Sequence, residues 1–189
     1  ITAGNSGLPG VGWIEYESLD DFWIYQRSVS RTAVALSRGV PMGEANSIPW
    51  ILHGVKSLSY ASHVLAGKVA EEKGVDEAIF ISSDGYLLES PTASIVALKE
   101  NVLISPKLNS GILPGTTQGA LFENAHKLGL ETAYEDIHIS QLNSLDALWI
   151  MSAIRLTNSI SRINQNHIPV RDDLTGKINR LLLDEAKEI

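Results

Sequence analysis

The sequence predicts a mixed α+β domain, and three observations carry that prediction. "DEAIFISSDGYLLES" reads as two strand-like runs joined by an Asp84–Gly85 turn. Residues 58–73 carry Leu58, Ala61, Leu65 and Val69 near helical spacing, with Gly74 standing where a left-handed residue ends a helix. The last stretch, "RDDLTGKINRLLLDEAKEI", reads as an amphipathic helix carrying Leu181, Leu182 and Ala186. Hairpins set among helices argue against a regular βαβ series.

The remaining elements follow in order. Residues 1–29 form an irregular tract rich in glycine and aromatics, a remnant or linker ahead of a domain spanning 30–189. "RTAVALSRG" alternates into a short strand, and "VPMGEANSIPW" is a loop punctuated by Pro41 and Pro49. "SIVALKENVLIS" repeats the hairpin pattern with Glu100–Asn101 at the bend. "PKLNSGILPG" is a loop, and "TTQGALFENAHKLG" a short helix stopped by Gly129. "ETAYEDIHIS" and "ALWIMSAI" read as strands separated by the helical candidate "SQLNSLD".

Composition narrows the function. With 189 residues, 44% of them apolar, the chain is long enough to bury one sizeable core. A formal charge of −7 disfavours general nucleic-acid binding, which wants concentrated positive charge. The chain has no cysteine, so disulfides, thiolate nucleophiles and cysteine metal sites are excluded. Its longest apolar runs fall short of a membrane span, and no basic-then-apolar leader is present, so a cytoplasmic protein is the expectation. There is no Gly-x-Gly-x-x-Gly segment, Walker loop or nucleophile elbow. His53, His126, His138 and His167 lie apart without ligand spacing.

Four places carry candidate chemistry. Lys56, in "ILHGVKSLSYAS", sits between an apolar run and a helix start, where negative charge is preferred. A desolvated lysine amine is a nucleophile toward carbonyl carbon, and a snorkelling surface lysine is the ordinary alternative. Glu89 ends a hairpin arm, placed either to receive a protonated ring nitrogen or to sit in water at a strand edge. In "GILPGTTQGALF", Thr116 and Thr117 open a helix after Gly115; free N–H groups and two hydroxyls there make an anion site, or else simple N-capping. In "WIMSAIRLT", a strand runs into Ser152 and Ala153, which offer a further phosphate contact or a neutral loop.

Taken in order, "GVKSLSYA", "GVDEAIFISSDGYLLESPTASIVALK", "ILPGTTQGALFENAHKLGLE" and "LDALWIMSAIRLT" resemble the pyridoxal-phosphate enzymes of the fourth fold type, over roughly residues 30 to 168. That family holds branched-chain aminotransferases, D-amino-acid aminotransferases and aminodeoxychorismate lyases. The resemblance implies a β-rich pseudo-barrel flanked by helices, the large cofactor-binding domain over 30–189 without the family's small N-terminal domain. It also implies a homodimer acting on a small-molecule amino substrate. Pyridoxal 5'-phosphate would be joined to Lys56, with Glu89 at its ring nitrogen and Thr116, Thr117, Ser152 and Ala153 at its phosphate. "WILHGVKSLSY" and "PGTTQGALFE" are most similar to actinobacterial aminodeoxychorismate lyases, so the expected reaction yields 4-aminobenzoate and pyruvate. The alternatives are an aminotransferase for branched-chain L-amino acids or D-amino acids, and an inactive large-domain fragment or structural relative. Ser94 stands where the family often has Asn, and Gln118 where it often has Arg.

Overall fold

The structure, a computed structural model, describes the backbone of residues 2–5 and 12–15, and residues 30–44 and 54–187. Within the tract expected to be irregular, β1 (Thr2–Asn5) pairs antiparallel with β2 (Gly12–Glu15). The rest of residues 1–29, and the loop at 45–53 with Pro49, lie outside the described residues.

The domain is built on one nine-stranded sheet. Its strands are β3 (Arg31–Ser37), β4 (Glu77–Ile81), β5 (Glu89–Ser90), β6 (Ala93–Lys99), β7 (Val102–Ser105), β8 (Glu131–Tyr134), β9 (Ala147–Ser152), β10 (Leu156–Ile163) and β11 (Asn166–His167). Among the described residues three α-helices join them: α1 (Ala61–Glu72), α2 (Thr116–Asn124) and α3 (Asp172–Lys187). The spatial order is β4-β3-β10-β9-β6-β7-β8, with β11 beside β10 and β5 beside β6. Both antiparallel and parallel pairs occur: β3–β4, β3–β10 and β7–β8 are parallel, the rest antiparallel. The Asp84–Gly85 turn is present, but its second arm leaves β4 after the Ile81–Leu87 bridge and pairs with β6 instead.

The sheet curls on itself as expected of a pseudo-barrel. Leu87 N–H donates to Ile137 O, and Ile139 N–H to Gly85 O, each at 2.8 Å. These bonds join the segment after β4 to the segment after β8, so the two ends of the sheet meet. The enclosed face buries Ile79, Leu87, Ile95, Leu148, Ile150 and Ile160, each at most 1% exposed. Side chains of this size contribute about 1.5–3 kcal/mol each on burial. On the outer face, α2 and α3 cover Val96, Leu98, Leu103 and Trp149.

Helix α1 turns a different face inward from the one its spacing predicts. The helix begins at Ala61 rather than at residue 58, so Leu58 lies ahead of it, 96% exposed. Within it Ala66 and Ala70 are buried against Val34 and Ala78, while Leu65 is 60% exposed. Small side chains let the helix lie close on β3 and β4, and the larger apolar residues are left outside. In α3 the buried stripe is Leu174, Ile178 and Leu182, and Ala186 is exposed.

Strand β10 carries no strand signal in the sequence, because Thr157, Asn158 and Ser159 interrupt the apolar pattern. All three are buried. Strand β3 pairs with β10 only from Ile160 onward, so residue 157 lacks a strand on that side. Asn179 of α3 fills the gap: its Oδ1 accepts from Thr157 N–H at 2.9 Å and its Nδ2 donates to Thr157 O at 3.1 Å. Thr175 likewise takes Trp149 Nε1–H at 2.8 Å and meets Ser159 Oγ at 3.1 Å. Asn179→Ala strands a buried backbone donor and acceptor together. It is expected to cost about 2–3 kcal/mol in urea unfolding, while a loss below about 0.5 kcal/mol would show that water replaces the amide.

Asp76 ties the start of β3 to the start of β4, accepting Thr32 N–H at 2.7 Å and Thr32 Oγ–H at 2.8 Å. Partial burial raises its pKa, but the Thr32 bonds and the nearby Arg31 charge outweigh this and hold it below the usual carboxylate value. A depressed folded-state pKa supplies stability above the ordinary aspartate range that is lost as pH falls through the depressed value. Asp76→Asn is therefore expected to flatten the acid limb of the melting temperature against pH, which an unchanged limb would contradict.

Candidate active site

The six side chains singled out from the sequence line one cavity of about 830 Å³: Lys56, Glu89, Thr116, Thr117, Ser152 and Ala153. Their elements explain the convergence. Gly54, at φ +70°, turns the chain so that its Cα passes against Ile112 O, where a Cβ would sit at 2.9 Å. Lys56 follows two residues later, in an irregular segment ahead of α1, and is exposed. Among the described residues its amine makes no salt bridge.

Glu89 opens β5 and is clamped rather than solvated. Arg38 Nη2 donates to its Oε1 at 2.6 Å, and Leu113 N–H donates to its Oε2 at 3.0 Å. Arg38 is fixed in turn by Gly111 O, which accepts from Nη1 at 2.9 Å, and by the ring of Phe80, 4.6 Å from the guanidinium carbon. A carboxylate has about four acceptor positions, so two remain for a ligand donor.

Threonine capping does not describe the start of α2. The N-cap is Gly115, and no side chain caps it. A Cβ on Gly115 would overlap Ser94 Oγ, so only glycine lets the helix start this close to β6. The first-turn N–H groups therefore have no capping side chain, at the positive end of the helix. Ser152 closes β9, and Ala153, Ile154 and Arg155 form the turn into β10, with Leu156 at φ +50°.

Three further lining residues carry chemistry that the local pattern does not reveal. Arg38 and Arg155 are both ion-paired, the latter to Glu77 at 2.6 Å. Their partners lie 51 and 78 residues away in sequence, so no short motif marks them. His63 lies two residues into α1, its ring 6.1 Å from Phe80 and 5.4 Å from Tyr60, with Nδ1 buried and unpartnered.

Comparisons with known proteins place the chain in a family. The model of the amino-transferase class IV family matches residues 2–163. A bifunctional aminodeoxychorismate lyase / D-amino acid transaminase of Mycobacterium tuberculosis is 30% identical over 145 residues, 73% of this chain and 50% of its own length. A fold IV-transaminase of Curtobacterium pusillum superposes with a TM-score of 0.78 at 39% identity, over 85% of this chain and 55% of that one. A hypothetical aminotransferase of Mycobacterium tuberculosis in its PLP-bound form gives 0.79 at 28% identity, over 87% and 59%. The chain belongs to the class IV aminotransferase family, and it spans about half the length of the curated relatives it matches. Membership does not favour the lyases within the family, since transaminases and branched-chain aminotransferases match as well. No helix among the described residues is long and apolar enough to cross a membrane.

The Arg38–Glu89 pair is largely buried, its side chains 13% and 12% exposed. Removing one partner of such a pair leaves an uncompensated charge. Arg38→Met is expected to lower unfolding free energy by about 3 kcal/mol, and Arg38→Met with Glu89→Gln by clearly less. A double-mutant loss equal to the sum of the Arg38→Met and Glu89→Gln losses would show that the two residues do not act on each other.

Proposed function

We propose that the cavity holds pyridoxal 5'-phosphate and that the whole protein uses it to move the amino group of an amino-acid substrate. The observation that carries this is the meeting, in one cavity, of a lysine amine, a doubly clamped carboxylate and a helix N-terminus without a side-chain cap. This donor set fits the three ends of the cofactor: aldehyde, ring nitrogen and phosphate. Residues 30–189 are read as the cofactor-binding domain of a homodimer. Exposed Val55, Leu58, Val64 and Leu65 offer an apolar surface for a second copy.

Each residue then has a task. Lys56 would hold the cofactor by its aldehyde end and, with a substrate bound, would be the group placed to move a proton at the substrate Cα. Bound there, the cofactor supplies an electron sink for the pair left at Cα. Glu89 would accept the ring N–H on an acceptor position that Arg38 and Leu113 leave open, which would favour the protonated ring. Thr116 and Thr117, with the first-turn amides of α2, hold the phosphate, joined by Ser152 and Ala153 from the β9–β10 turn.

Amino transfer is favoured over elimination because the similar proteins are mostly transaminases by name. The lyase reading draws on the bifunctional Mycobacterium tuberculosis relative and on "WILHGVKSLSY" and "PGTTQGALFE". The full-length protein, loaded with cofactor, should form 2-oxo acids from D-alanine or branched-chain L-amino acids with 2-oxoglutarate, and Lys56→Ala should abolish this. Release of 4-aminobenzoate and pyruvate from 4-amino-4-deoxychorismate, without any 2-oxo acid from the amino acids, would replace amino transfer by the lyase reaction. Turnover of neither would refute both.

A further inference from the structure

Among the described residues Arg38, Lys56 and Arg155 are the cations that line the cavity, in a chain whose net charge is −7. Glu89 offsets Arg38 and the buried Glu77 offsets Arg155, which leaves Lys56 without a salt bridge. The cavity therefore favours anions where the protein as a whole repels them. The three cations differ in what they have left to give. Arg38 is held by Glu89, Gly111 O and the Phe80 face, with its side chain 13% exposed. Lys56 is committed to the cofactor aldehyde if the function proposed above holds. Arg155 is anchored but only partly used.

Its anchoring is specific. Nη1 donates to Glu77 Oε2 at 2.6 Å and Nη2 to Thr92 Oγ1. Glu77 is itself buried, 8% exposed, and its second oxygen accepts from Ser90 Oγ at 3.1 Å. A guanidinium fork has five N–H donors, so donors remain for a ligand after these two bonds. The side chain is 25% exposed, and its neighbours Thr92, Ala153 and Ile154 are exposed too, which puts Arg155 at the rim. The backbone fixes it there: the turn from Ser152 to Leu156 is only three residues long. Leu156 accepts a left-handed φ of +50° to close it, a conformation unfavourable for a branched side chain and one that accumulates at functional turns.

We propose that Arg155 receives the carboxylate of the substrate, with Glu77 as the positioning residue that aims it. This rests on the amino-transfer reading above. The planar fork matches a carboxylate through two parallel hydrogen bonds, and pairing with Glu77 leaves the residue suited to a monoanion. A rim position meets the substrate on entry, whereas the phosphate has the α2 amides to occupy.

The test compares ligands that differ only in charge, on the full-length protein loaded with pyridoxal phosphate. Propionate and propionamide are titrated as inhibitors of the half-reaction with alanine, in the unsubstituted protein and in Arg155→Lys and Arg155→Met. Arg155→Met should weaken propionate inhibition and raise the KM for alanine by roughly 10- to 100-fold, leaving propionamide unchanged, with Arg155→Lys between. Because Glu77 would be left buried and unpaired, Arg155→Met/Glu77→Gln is run as well and should show the same loss of carboxylate discrimination. Equal weakening of propionate and propionamide would overturn the proposal. So would weaker binding of pyridoxal phosphate with unchanged binding of unphosphorylated pyridoxal, which would make Arg155 a phosphate ligand. An unsubstituted protein that neither retains the cofactor nor reacts with alanine would refute the functional reading itself.

Discussion

The site depends on how the Glu89 carboxylate is held. One oxygen takes Arg38 and the other takes Leu113 N–H, so neither can swing toward solvent without losing a charge-assisted or backbone bond. The segment 111–115 serves every part of the arrangement. Gly111 O fixes Arg38, Ile112 O bounds the turn at Gly54 before Lys56, Leu113 holds Glu89, and Gly115 starts α2 against Ser94. A shift of this one loop would move the turn before Lys56, the Glu89 carboxylate and the start of α2 together. That coupling is the physical reason an irregular stretch can organise a site supported by rigid strands.

The rest of the fold keeps those strands rigid by unusual means at one position. Strand β10 lies near the middle of the sheet yet buries Thr157, Asn158 and Ser159. Its N-terminal half has no strand partner on the β3 side, and α3 supplies side-chain hydrogen bonds in place of one. This half of β10 follows directly from the turn that carries Ala153 and Arg155. Helix α3 thus steadies the strand that leaves the Ser152–Leu156 turn of the cavity, without contributing a lining residue.

Much of this was legible in the sequence, for identifiable reasons. Lys56, Glu89, Thr116, Thr117, Ser152 and Ala153 each sit at the end of a local element, where a turn or helix start is written in neighbouring residues. Their meeting in one cavity follows from the order of the elements. Arg38 and Arg155 were not legible, because each is defined by a carboxylate on a distant strand. Strand β10 escaped because Thr157, Asn158 and Ser159 break the apolar pattern, while α3 bonds the Thr157 backbone and the Ser159 hydroxyl from a distant part of the chain. The inverted face of α1 escaped because Ala66 and Ala70 carry weaker hydrophobic signal than Leu58 and Leu65, yet only small residues allow so close a contact. The parallel pairing of β7 and β8 across α2 also lies beyond period counting, since strand direction depends on the path of the connection.

The central claim is that the lysine, the clamped carboxylate and the open helix terminus are three parts of one cofactor site. The most direct measurement is to load the full-length protein with pyridoxal phosphate, reduce it with borohydride, and map the modified peptide by mass spectrometry. The account predicts a single modification, on Lys56. Attachment to another lysine, such as Lys68 or Lys107, with Lys56 unmodified would contradict it.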